Sequence, residues 1–224
     1  MVGKKNVHAI PPQGIIPEND QSVTGEPWMM SVHRSVAIGA MALIFPMSWA
    51  WAGKTLNQRN PETGLESWKT AHKGVAVELA QLTPDQSRAF FIGRGFAREE
   101  AERYAAACVF MTILRNEAAP AAIHYRLADW RAVIPGQGGQ PPKLKEDWLA
   151  EWTARGLPAA QKIAFEWSQF PSEQTFEPGD WNQGMSTFAL PPGGHFDLVL
   201  RWRVQGKFEE QTVKGVRCAQ DQKN

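Results

Sequence analysis

The sequence predicts a mainly β fold with helical additions, an antiparallel sandwich in one domain over residues 74–218. Three observations point there. Apolar residues alternate at period two in GVAVELAQL and in FDLVLRWRV. Short glycine- and proline-bearing turns separate these runs. Strand patterns punctuated this closely by turns are the mark of a sandwich.

The chain opens on a polar, proline-bearing stretch, residues 1–28, that reads as a disordered extension or as a start assigned too far upstream. Then Arg34 precedes an apolar run, Val36 to Phe45, and Ala50-Trp51-Ala52 follows. That run is too short for a bilayer, which needs about 20 apolar residues. A cation, a short apolar core and an A-x-A site make residues 29–52 a secretory signal peptide, cut after Ala52. If retained, the segment is an N-terminal anchor. No twin-arginine pair precedes it, so the expectation is export of an unfolded chain to the periplasm or beyond.

Residues 53–73, with the turn-rich NPETG, are expected as a surface arm. Val75, Val77 and Leu79 then make one face of a strand. Thr83-Pro84-Asp85-Gln86 supplies an N-cap, a proline at the first helical position and a glutamine at the third, a capped helix start. Gly93-Arg94-Gly95 ends that helix, and a second spans 97–107, with Glu99, Glu100 and Glu102 at its positive end. CVFMTILRN, from Cys108, is a strand turned by Asn116 to Pro120. Ile123 to Val133 is another, with His124 facing away from Ile123, Tyr125 and Leu127. Residues 135–142 form a glycine- and proline-rich loop.

A helical hairpin over 144–170 interrupts the β pattern. Trp148 and Trp152 lie four apart, as do Ile163 and Trp167, and residues at that spacing share a helix face. The remainder is strand and turn: Trp181 to Leu190, Phe196 to Val204, a Gln205-Gly206 hairpin signal, a return to Cys218, and a short tail, 219–224.

Phe176-Glu177-Pro178-Gly179-Asp180, then G-x-x-x-F-x-L-P-P-G from Gly184, then FDLVLRW carry a resemblance, joined upstream by ILRNEAAPAAIHYRLADWRAV. These stretches, within 108–142 and 172–218, resemble exported bacterial immunoglobulin-like domains of the telokin-like class. The helical pair and the hairpin depart from that pattern. The resemblance implies an immunoglobulin-like sandwich with a role in binding or assembly, and it brings no catalytic residues. On this reading Cys108 begins the first sandwich strand and Cys218 ends the last.

Both cysteines lie beyond the leader, and a pair in an exported chain most often forms a disulfide; a shared metal or redox site is the alternative, with no C-x-x-C and no histidine close in sequence to support it. There is no G-x-S-x-G and no phosphate loop, so no catalytic set is assigned and the protein reads as a non-enzyme, with an enzyme of unknown class as the second alternative. A net charge of +1 without a basic run argues against nucleic acid. Five of the seven methionines precede the cut, which removes a methionine-lined copper site. The alternative metal reading is copper on His195, Met185 and His124. Seven of the ten tryptophans lie beyond the leader. Trp148, Trp152 and Trp167 on the hairpin make a face that either covers the apolar side of the sandwich or stays partly exposed, and with Trp181 they are the candidates for binding a protein partner of the cell envelope.

Overall fold

The structure, a computed structural model, describes residues 53–221. The signal-peptide reading of 29–52 and the extension before it lie outside the described residues.

The architecture is mainly β: two antiparallel sheets and four helices. The first sheet holds β1 (Leu56–Arg59), β2 (Glu66–His72), β3 (Val75–Leu82), β4 (Cys108–Asn116) and, after a long excursion, β9 (Trp181–Phe188), in the order β1-β2-β3-β4-β9. The second holds β5 (Ile123–Arg126), β6 (Arg131–Ile134), β7 (Gly138–Gln140), β8 (Glu173–Phe176), β10 (His195–Val204) and β11 (Lys207–Arg217). There β10 is the spine: β5 and β6 follow one another along one side of it, and β11 runs down the other.

Period-two alternation does what the sequence predicts. Along β3 the burial strictly alternates, and along β10 Phe196, Leu198, Leu200, Trp202 and Val204 all turn inward. They meet Trp68, Phe110, Leu114 and Val77 of the other sheet in one core, the shared interior of a β-sandwich. Phe110 packs edge-on against Phe188 and Phe196, with ring centres 5.9 and 6.2 Å apart.

Residues 53–73 are not an arm. They are β1 and β2, and Trp68 on β2 is buried in the core. The reason is a hairpin at Lys73-Gly74, where both residues have positive φ, +48° and +81°, the geometry of a tight two-residue turn. Gly74 also lets the 117–119 turn approach: a Cβ there would lie 2.2 Å from the carbonyl carbon of Ala118. Gln205-Gly206 repeats the same turn between β10 and β11. The strand expected across Ile123 to Val133 is broken by a 3-10 turn at Leu127–Asp129, where Arg126 clamps Asp129 in two hydrogen bonds.

The disulfide joins Cys108 to Cys218. Three strands precede Cys108, so the bond does not tie the first strand to the last. It links the start of β4 in one sheet to the end of β11 in the other.

Asn116, fully buried, explains the turn that ends β4. Its Nδ2 donates to the carbonyls of Ala121 and Phe176, and its Oδ1 accepts from Ala119 N–H. Asn116→Ala leaves all three unpaired inside the protein. The expected cost is about 2–3 kcal/mol, read as a lower urea midpoint.

Candidate functional site

The helices cover one end of the outer face of the five-stranded sheet, over Val109 and Met185, and the site is what they leave open. Helices α1 (Pro84–Ile92) and α2 (Arg98–Ala105) connect β3 to β4. Helices α3 (Lys145–Ala154) and α4 (Ala159–Ser168) connect β7 to β8. Thr83 caps α1 as the sequence requires, accepting from Gln86 N–H while Gln86 Oε1 accepts from Thr83 N–H. The two pairs form one layer. Phe91, Tyr104, Trp148, Trp152 and Phe165 share a second core with Val109 and Met185, which project from the outer face of β4 and β9. Arg155, after α3, pairs with Glu99 and Glu100 of α2. Gln161 donates to Gly95 O at 2.6 Å. Tyr104 donates to Gln169, and its complete burial pushes the phenol far above its ordinary pKa, so the hydroxyl stays protonated.

Trp148 and Trp152 stack with centres 5.1 Å apart and are 3% and 0% exposed. The Trp148 indole donates to Thr187 on β9, and Lys143 Nζ sits over its ring. These two tryptophans therefore bind the helical layer to the sheet, and the expectation that they present a surface to a partner is corrected. Trp167, on the opposite side of α4, is 86% exposed, and its neighbour Ile163 is also exposed. Trp181, at the start of β9, is 51% exposed.

Beyond the helices the outer face of the five-stranded sheet is uncovered. Its register sets side by side Ala71 and Ala76, Lys69 and Glu78, Glu78 and Ile113, and Arg115 and Trp181. The alanines make the face shallow, and a groove of about 800 Å³ runs over Leu56, Lys69, Ala71, Ala76, Ile113 and Arg115. Lys69 and Glu78 pair at 3.1 Å. The Arg115 guanidinium lies 4.7 Å from the centre of the Trp181 ring. At the groove's end Lys73 donates to Glu209, which, with His72 beside it, holds that carboxyl below its ordinary pKa. Next to the helices a second hollow, of about 350 Å³, is lined by Phe90, Arg94, Met111, Trp167 and Gln183. Gln183 and Ile113 face each other in the register, so the two hollows lie along one surface, with Trp181 and Trp167 both on its β9 side.

The three candidate metal ligands do not converge. His195 and His124 meet β10 at opposite ends: His195 is its first residue, and His124 lies opposite Arg203. Eight strand residues put them about 26 Å apart. Met185 is buried in the helical core. His124 instead bonds Thr175 and pairs with Glu173 at 3.0 Å. Among the described residues no group of three or more His, Cys, Asp or Glu is placed to hold a metal ion.

The groove residues Leu56, Lys69, Ala71 and Arg115 escape sequence reasoning, three of them because they fall in the stretch read as an arm. A signal was there: in ESWKTAH the tryptophan, threonine and histidine fall at every second position, with serine, lysine and alanine between, and Lys-Gly follows.

No family model, no curated protein and no solved structure matches the chain.

Proposed function

We propose that the protein is an exported, non-enzymatic interaction module that binds a protein of the cell envelope through the open half of its five-stranded sheet. One observation carries the reading. Among the described tryptophans, Trp68, Trp130, Trp148, Trp152 and Trp202 are buried, while Trp167 and Trp181 stand exposed on one surface. Water-exposed indoles are costly, and tryptophan with arginine dominates the energetic centres of protein interfaces. The leader pattern of 29–52 and the buried disulfide support an oxidising, extracytoplasmic location. The immunoglobulin-like topology belongs to the same proposal, since domains of that kind commonly serve binding.

The test compares recovery of partners from envelope extract by the native protein and by a Trp167→Ala/Trp181→Ala variant. Phe208→Ala serves as control, because Phe208 is 55% exposed on the other sheet. The expected result is a loss of about tenfold or more in the double variant and none in the control. Equal recovery by all three, with the double variant folded, removes this surface from the account.

A further inference from the structure

We propose that the open sheet face receives an extended acidic segment of its protein partner, with carboxylates at every fourth residue meeting Arg115 and Arg94 and an apolar side chain between them against Trp167. The inference rests on the partner-binding reading above and gives that partner a chemistry.

The charge pattern comes first. Most arginines of the helical layer hold an acid: Arg88 holds Glu102, Arg103 holds Glu151, and Arg155 holds Glu99 and Glu100. Arg115 and Arg94 hold none among the described residues. Each is instead laid on an aromatic ring, Arg115 on Trp181 at 4.7 Å and Arg94 on Phe90 at 3.3 Å. Arg94 spends one N–H on the Phe90 carbonyl. Stacking fixes a guanidinium plane while leaving edge N–H groups free, the arrangement that accepts a carboxylate in two hydrogen bonds. Two acids line the groove: Glu78, which Lys69 engages, and Glu117, just past the end of β4, while none lines the hollow around Arg94.

Spacing and backbone come next. Arg94 lines the hollow over Met111, and Met111 and Arg115 are four residues apart on β4, about 13 Å. An extended segment covers that distance in four residues, and its first, third and fifth side chains share a face. Acid, apolar, acid is the sequence those positions ask for. β9 is the outer strand of its sheet. Phe170 N–H and Lys143 N–H cap its edge at Met185 and Thr187, whereas 181–183 has no neighbouring strand on that side among the described residues. An extended partner can therefore pair its backbone over 181–183 only, where the Gln183 N–H already donates to Asn182 Oδ1, and beyond that point its side chains alone reach the hollow beside Arg94 and Trp167.

The probe is a twelve-residue peptide repeating Glu-Ser-Leu-Ser, set against its Gln-Ser-Leu-Ser counterpart. Both are titrated into the full chain and followed by tryptophan emission and by the indole N–H resonances of Trp167 and Trp181. The acidic peptide is expected to bind about tenfold more tightly, Arg94→Gln and Arg115→Gln each to weaken it about fivefold, and the two together to abolish the preference. Equal binding of the two peptides, no binding of either, or an acid preference that survives in the double arginine variant overturns the inference. If Trp167→Ala/Trp181→Ala loses the envelope partner while Arg94→Gln/Arg115→Gln keeps it, the acidic segment is refuted and the partner surface stands.

Discussion

Replacing Cys108 and Cys218 together by alanine is expected to lower the unfolding free energy by about 4–5 kcal/mol, a fall of roughly 10–15 °C in Tm. The two cysteines are 110 residues apart in sequence, and closing so long a loop removes much conformational freedom from the unfolded chain. The bond also joins unlike parts of the fold. Cys108 opens β4, flanked on both sides in its sheet, while Cys218 follows β11, which among the described residues pairs with β10 alone. Without the link, the end of β11 retains its pairing with His195, the Cys218 N–H bond to Gly194 O, the Gly193 N–H bond to Cys218 O and the Gln81 side chain on Arg217 O. Denaturation of the oxidised protein, of the protein reduced in denaturant and of the double variant gives the measurement. Reduced and double-variant proteins should agree with each other and fall well below the oxidised form. A difference under 1 kcal/mol would show that the unfolded chain is already confined by other means.

The strands with clean alternation were legible because each residue's environment is decided by its two faces alone. Val75, Val77 and Leu79 were readable for that reason, and so was the β10 series. Thr83 to Gln86 was readable because a capping box is satisfied within four residues. What failed was of two kinds. Lys73-Gly74 makes the same turn as Gln205-Gly206, but it follows a polar segment with lysines at 54, 69 and 73, and the polarity hid the hairpin. Lys69 faces outward on β2 of the open sheet, Lys73 belongs to the turn itself and Lys54 precedes β1. The composition of the segment reports the unburied face rather than an absence of structure.

The second failure was of helix faces. The spacing of Trp148 and Trp152, and of Ile163 and Trp167, correctly gives two stripes. Which stripe is buried depends on Tyr104 and Phe91, dozens of residues earlier, and on Val109 beneath them. No local pattern in 144–170 carries that information, because either stripe is apolar enough to be the inner one. The same holds for Arg115, whose place beside Trp181 exists only through the pairing of β4 with β9.

The sharpest separation between the two stripes is energetic. Trp148→Ala is expected to cost about 3–5 kcal/mol, since a fully packed indole leaves a large cavity whose walls relax only in part. The walls here are Tyr104 at 5.0 Å, Trp152 at 5.1 Å and Phe165 at 6.5 Å between ring centres, rings held in turn by Phe91 and Phe96. The substitution also strips Thr187 of its indole donor, and Thr187 holds the chain at Lys143 to the edge of β9. The helical layer should loosen first, so amide exchange in α3 and α4 should rise more than in β10. Trp167→Ala, by contrast, should move stability by no more than about 0.5 kcal/mol, because its side chain gives up little on unfolding. Paired unfolding curves decide the matter. A Trp167 variant as damaged as the Trp148 variant would mean that α4 is turned the other way, with the exposed stripe packed against the sheet, and the partner surface would then lose its principal residue.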